Sequence, residues 1–495
     1  DDILRGDTDA RSDAIAYVDD GDPNTPEPVV DTTTNTYTDP LGSEFSINVL
    51  DSNGADGTFR TVLANGTAQG ASVSFANVEE IEGQGASGDD DRLIMNLSGT
   101  VPGIVWNVTD VYKGVITAGA VTLAYSTIAR GANTGSRDVT LSYAGNGGSI
   151  GEYVGDVIVD LAEEVAAGFN KFTGNVQTLI GTSKNDALLG NAATTLIQGL
   201  AGDDQLGLVT LDGATAEGGT GNDILAYRNA TGTVALTASA LTQTNGPTTV
   251  TASHSGITDA IILADESDTA GVTINAATFA GSTTLRGAGG IDVLTSGLGD
   301  KNVFIASGGS DAMTNSNTTD GALYVGSELT GNYTAANTSA TVITVSTTGA
   351  VDTLTGVFSL IRLIGDDNAN IFNASGLTHA SAALYGQGGD DSLTGGGLDD
   401  TLLGGEGHDS FVGGGGTDTL LEIGFRSYFL GASGLFHDSA SDTGSVLAVN
   451  LPASAEDSDG FQLEIVGLDG IALSTATLSF TAETSQVEKE KRENR

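Results

Sequence analysis

Four aspartates stand nine residues apart late in the chain: Asp391, Asp400, Asp409 and Asp418. Each is the sixth residue of a nonapeptide, and the four units follow without a gap: GQGGDDSLT from Gly386, GGGLDDTLL, GGEGHDSFV and GGGGTDTLL. Glycine opens every unit, and Leu393, Leu402, Phe411 and Leu420 fill the eighth place. Carboxylates at this spacing, beside the carbonyl oxygens of a tight turn, are hard oxygen donors that suit calcium, which takes about 6–8 oxygens. Asp390 and Asp399 at the fifth place enlarge the donor set. Paired carboxylates could also serve as a general acid and base. A nine-residue register over four units is accounted for more simply by a structural repeat.

To place such aspartates, the first six residues of each unit must turn sharply, which glycine allows through positive φ and close backbone approach. The last three form a short strand whose middle residue is apolar and faces inward. Two units then make a coil of eighteen residues with a turn at each edge. Asp391 and Asp409 are expected to stack on one edge and Asp400 and Asp418 on the other. The stretch has few large apolar groups to bury, so metal binding and folding should be coupled.

The same pattern recurs upstream. GTSKNDALL from Gly181, GNAATTLIQ and GLAGDDQLG run in strict nines, with Asp186 and Asp204 at the sixth place, Asp203 beside the latter, and Thr195 between them. GGTGNDILA adds Asp223, nineteen residues after Asp204, which implies one inserted residue. GAGGIDVLT carries Asp292, and ASGGSDAMT carries Asp311 after another nineteen-residue step. GASGDDDRL, 85–93, is a degenerate turn around Asp89, Asp90 and Asp91, with Asp90 taken as its candidate ligand. In GDDNANIFN the sixth place is Asn370, where no metal is expected.

A longer repeat overlies the short one. SFANVEEIEG, FTGNVQTLIG, HSGITDAIIL and LTGVFSLIRLIG each close a strand-rich stretch; their anchors Val78, Val176, Ile257 and Val357 lie 98, 81 and 100 residues apart. The expected fold is all-β: a parallel β-roll or β-helix solenoid with nonapeptide calcium-binding turns and strand-rich spacer modules. The organisation reads as a partial repeat and polar linker over 1–44, a first strand module over 45–100, a second module with a roll over 101–230, a third over 231–315, a fourth with the most regular roll over 316–420, and a β cap or assembly region with a charged tail over 421–495. The opening DDILRGD reads as the end of another nonapeptide, so the chain is expected to begin inside a longer polypeptide. Val159–Phe169 (VDLAEEVAAGF) reads equally as a short helix or as a strand with a loop.

Composition narrows the function. A net charge of −46, from 64 acidic against 18 basic residues, excludes a nucleic-acid surface. Without cysteine there are no disulfides, no thiol catalysis and no cysteine–zinc site. No apolar run approaches the ~20 residues of a membrane-spanning helix. There is no HExxH zinc helix and no GxSxG elbow. Of the histidines, His254, His379, His408 and His437, His408 occupies a variable turn position. Lys184, Arg228, Arg286, Lys301 and Arg362 are scattered among turns rather than gathered for an acidic sugar.

On these residues, above all IGTSKNDALLGN and the 386–420 block, the chain resembles the repeats-in-toxin (RTX, haemolysin-type) calcium-binding family, and its spacers resemble those of RTX-type surface-layer proteins and adhesins. The resemblance implies calcium as cofactor, and export, usually by type I secretion from a Gram-negative bacterium, with folding outside the cell. The tail VEKEKRENR departs from the usual type I signal. The expected function is that of a non-enzymatic, extracellular calcium-binding structural protein of the cell surface, in a surface layer, filament or adhesin segment. Its partners would be further copies of itself in a lattice or filament, or a cell-surface glycan or receptor. The alternative is a secreted carbohydrate-active or hydrolytic enzyme on a parallel β-helix with RTX repeats; a third reading is a stalk for an active domain elsewhere.

Overall fold

Alternation of small polar and apolar residues, broken every nine to ten positions by glycine, favours short strands over helices. In the computed structural model every regular element among the described residues is a strand. The described residues are 91–97, 103–145, 150–265, 267–406 and 409–421, together with strand segments lying between 3 and 82 and between 427 and 447. Among them no helix is long and apolar enough to cross a membrane. The chain divides into two units: Asp1–Arg228 with Ser239–Thr242 and Val250–Ala260, and Asn229–Ala238 with Gln243–Thr249 and Ile261–Arg495.

In the first unit, successive strands alternate between two parallel ladders. Thr178–Ile180, Leu196–Ala201 and Thr215–Thr220 stack on one side, and Ile158–Asp160, Ala187–Leu189, Gln205–Leu208 and the start of Asp223–Ala230 on the other. Register aligns Leu179, Ile197 and Ala216 in one column and Val159, Leu188, Leu206 and Leu225 in the other, all buried. The step from Leu188 to Leu206 is eighteen residues and that from Leu206 to Leu225 nineteen, so the inserted residue is absorbed in the turn and the pairing is kept. Each fully buried Leu or Ile contributes about 1.5–3 kcal/mol.

The second unit follows the same plan. One ladder aligns Ile274, Leu294, Met313 and Leu354, and a further one aligns Phe372, Leu393 and Phe411. The facing ladder aligns Leu285, Phe304, Tyr324 and Ile361, then Leu384, Leu402 and Leu420. Long sheets of parallel strands with inward apolar columns are the arrangement of a β-solenoid.

The spacers are antiparallel excursions from these coils. Ile104–Asp110, Lys113–Ala118 and Val121–Ser126 form a meander in the first unit, tied to the coils where Ile104–Asp110 pairs in parallel with Val139–Ser142. In the second unit, Asn332–Ser339, Val342–Thr347 and Ala350–Thr355 form another; its outer strands pair in parallel with Ile371–Gly376 and Ala312–Thr314. The Val159–Phe169 segment is strand, turn and strand. Asp160 Oδ1 accepts the Ala162 and Glu163 amides at 3.0 Å each, Glu164 takes φ +61°, and Val159 pairs with Ala166.

Candidate functional site

The sixth-place aspartates lie where each turn enters the next strand, and their side chains point inward. In the first unit Asp186 Oδ1 accepts the Val157 amide at 2.8 Å, Asp204 Oδ1 accepts the Asp186 amide at 2.8 Å, and Asp223 Oδ1 accepts the Asp204 amide at 2.9 Å. In the second unit Asp391 caps the Asn370 amide at 2.7 Å and Asp409 the Asp391 amide at 2.9 Å. On the opposite edge Asp400 caps Ala382 at 2.6 Å and Asp418 caps Asp400 at 3.0 Å. Asp391 and Asp409 therefore share one edge, and Asp400 and Asp418 the other. A third stack joins Asp292 to the Val272 amide at 2.6 Å, Asp311 to Asp292 at 2.9 Å, and Asp352 to Asp311 at 3.1 Å. All of these aspartates are buried.

The fifth place makes an outer ladder of opposite sense. Each sixth-place side chain reaches back one coil, whereas Asn185 Oδ1 accepts the Asp203 amide at 2.8 Å and Asp203 Oδ1 accepts the Asn222 amide at 2.8 Å, one coil ahead. Asp399 does the same for the Thr417 amide at 2.7 Å. At these three steps the coils are thus stapled twice, by a sixth-place and a fifth-place side chain. Asp390, the remaining fifth-place candidate, sits beside Asp391 and helps to raise its pKa.

The second carboxylate oxygen separates the turns. Asp186 Oδ2 accepts the Thr182 amide at 2.6 Å and its hydroxyl at 3.0 Å. Asp400 Oδ2 accepts the Gly396 amide. Asp204, Asp223 and Asp391 instead hold a buried Oδ2 that accepts no hydrogen bond. This oxygen lies over the first-place glycine of its own turn, with a main-chain carbonyl oxygen of another segment against the same glycine. A Cβ on Gly386 would collide with Asp391 Oδ2 and lie 2.6 Å from the Gly404 carbonyl oxygen; on Gly199 it would meet Asp204 Oδ2 and the Gly218 carbonyl oxygen at 2.7 Å. The opening glycine is therefore dictated by space. Positive φ falls on the second and fourth places: Gly219 and Gly221, Gly414 and Gly416, and also Leu200 with Gly202 and Gln387 with Gly389.

Burial and neighbouring carboxylates push these groups up. Asp391 rises to about 7, through burial first and then the charges of Asp409, Asp366 and Asp390, against the hydrogen bond from the Asn370 amide. Asp204 rises to about 6 through burial and the charges of Asp186, Asp223 and Asp203, against the Asp186 amide. Asp418 also rises to about 6, chiefly through burial. A buried carboxylate oxygen with no donor, beside a carbonyl oxygen and a second carboxylate, lacks a positive partner. The donor set, oxygen only, fits a hard cation. Among the described residues no three carboxylate or imidazole side chains converge on one point, so an ion there would draw on main-chain carbonyl oxygens as well.

Several positions escape the nonapeptide pattern. Asp352 and Tyr324 complete the third stack, although Asp352 lies 41 residues beyond Asp311. The signal for Asp352 is the pair Asp352-Thr-Leu354, which repeats the sixth and eighth places without the glycine. Asn302, with Phe304 two residues on, holds a sixth place on the facing ladder and accepts the Thr283 amide at 2.9 Å. Asn370 occupies its own sixth place fully buried and donates to the Leu329 carbonyl at 3.2 Å. Between Asp186 and Asp204, Thr194 turns inward rather than Thr195, donating to the Val176 carbonyl at 2.8 Å. Asp90 and His408 lie outside the described residues; Asp91, beside Asp90, is buried. His379 is exposed and pairs with the Thr378 hydroxyl at 2.8 Å, and Arg362 lies 6.0 Å over the Tyr385 ring. The chain matches no model of a known protein family and no curated protein.

Proposed function

We propose that this protein is a non-enzymatic, extracellular calcium-binding structural element of a bacterial cell surface, in a surface layer, filament or adhesin segment. Calcium rigidifies its stacked turns and bridges copies of the chain. The observation that carries the reading is the buried carboxylate oxygen of Asp204, Asp223 and Asp391, which accepts no hydrogen bond and lies by a main-chain carbonyl oxygen across the first-place glycine. Asp204 with Asp223, and Asp391 with Asp409, would hold the ions, which would neutralise stacked negative charge. The excess of 64 acidic over 18 basic residues supports a chain built to meet cations. Export by type I secretion follows the RTX resemblance.

A calcium titration from metal-stripped protein, followed by far-ultraviolet circular dichroism and light scattering, tests the proposal. A cooperative gain of β signal with particle growth is expected. A gain without growth would favour a monomeric adhesin arm over a lattice. Absence of any response would overturn calcium dependence, and equal folding and assembly in excess chelator would do the same.

A further inference from the structure

The Asp292–Asp311–Asp352 stack has the same ladder as the other turns but a different filling. Asp292 Oδ2 accepts the Ala288 amide at 2.8 Å. The Ser307 hydroxyl lies 3.0 Å from Asp292 Oδ2 and 3.0 Å from Asp311 Oδ2, bridging the two. Asp352 Oδ2 accepts the Tyr324 hydroxyl at 2.6 Å, and Tyr324 is itself buried. Every second carboxylate oxygen of this stack therefore has a protein partner. The outer residues differ too. At the fifth place stand Ile291, Ser310 and Val351, where the other turns offer Asn185, Asp203 and Asn222, or Asp390. None of these three fifth-place side chains is a carboxylate or an amide.

We propose that the Asp292–Asp311–Asp352 stack is a cation-free lock closed by the hydroxyls of Ser307 and Tyr324, so that calcium is confined to the other turns and this part of the second unit folds without it. The inference rests on the functional reading above, since it distributes the ions that reading requires. Ser307 has one hydroxyl hydrogen for two carboxylate oxygens, so the second contact is served by a hydrogen carried by Asp311. Burial favours that neutral form, raising Asp311 to about 6 and raising Asp352 as well; Tyr333 is the other ionisable group near Tyr324. A neutral side chain is already used at equivalent places, because Asn302 and Asn370 occupy sixth positions.

Calcium stoichiometry of the full chain, by equilibrium dialysis, separates the two kinds of turn. Asp311→Asn is expected to bind as many ions as the unmodified chain, and Asp391→Asn fewer by at least one. Tyr324→Phe should lower the melting temperature of the metal-stripped protein, and by a similar amount when calcium is present. Loss of an ion in Asp311→Asn, with the circular dichroism of the fold retained, would overturn the lock. If the unmodified chain binds no calcium, the functional reading fails instead. The lock is then judged by Tyr324→Phe alone, and an unchanged metal-free melting temperature overturns it.

Discussion

The meander around Trp106 and the coils from 370 to 421 are both built of strands, yet they are held together by different physics. Trp106 packs against Phe172 with ring centroids 5.1 Å apart, Phe169 at 5.9 Å and Tyr125 at 6.0 Å, in a cluster that needs no ion. The later coils bury narrower apolar columns, such as Leu393, Leu402 and Phe411 beside small residues such as Ala374 and Ala382, and fill the turns with aspartate. Area burial stabilises the first region. Ladder hydrogen bonds, opposed by the cost of burying carboxylates, decide the second. Regularity in the sequence therefore marks the part of the molecule least able to stand on apolar burial alone.

The sharpest way to break this contrast is to remove its aromatic end. Trp106→Ala should cost about 3–5 kcal/mol, as large-to-small changes of buried aromatics do. The loss should be the same with and without calcium, as read by chemical denaturation. A loss that calcium largely repairs would mean that the two regions do not differ as described.

Gly386→Ala attacks the other end. The added methyl would collide with Asp391 Oδ2 and the Gly404 carbonyl oxygen, so the carboxylate or the backbone must move. A cost of about 1–3 kcal/mol is expected, typical of overpacking. Calcium affinity should fall with it, because the same oxygens are displaced. Full affinity by calorimetry would show that the ion does not use this edge.

Acidity gives a smaller, graded effect. Asp391 titrates near 7 and Asp204 and Asp418 near 6, each raised mainly by burial. In the unfolded chain they titrate at about 3.9. The fold thus holds protons that the unfolded chain releases. The associated stability is full below about pH 4 and is lost as pH rises through 6 to 7. Metal-stripped protein should melt a few degrees higher at pH 5 than at pH 7.5. Calcium should raise the melting temperature more at pH 7.5, since proton and cation compete for the same oxygens. Among the described residues the Trp106 cluster is aromatic rather than a carboxylate stack, and a melting temperature that climbs with pH would contradict the assignment of cause.

Much of this is legible in the sequence. The eighteen-residue coil, the inward eighth place and the pairing of Asp391 with Asp409 all follow from a nine-residue period, because local turn chemistry alone sets them. The nineteen-residue steps at Asp223 and Asp311 were equally visible. Asp352 is not, because the first two strands of the meander, Asn332–Ser339 and Val342–Thr347, separate it from Asp311 and no sequence spacing counts across an excursion. Tyr324 was hidden for a related reason. Its role depends on the facing ladder, where Tyr324 looks like one more apolar residue in the column of Phe304 and Ile361. Nor could the period show which carboxylate oxygens would be filled by hydroxyls.

The smallest expected effect sharpens the account of the turns. The second place of a turn takes positive φ in five units, and two of them carry a side chain there: Leu200 at +83° and Gln387 at +82°. A non-glycine residue in that region costs about 1–2 kcal/mol. Glycine recovers this but loosens the unfolded chain, a loss of about 0.4–1 kcal/mol. Gln387→Gly should therefore stabilise the metal-stripped protein by roughly 0.5–1 kcal/mol, the difference between those two effects. Leu200→Gly should gain less, since Leu200 is only 39% exposed and its partial burial is forfeited. Thermal melts of the two variants decide the matter. If Gln387→Gly destabilises, the strain at this place is being held by contacts of the glutamine side chain, and the turn is not the generic glycine turn that its neighbours are.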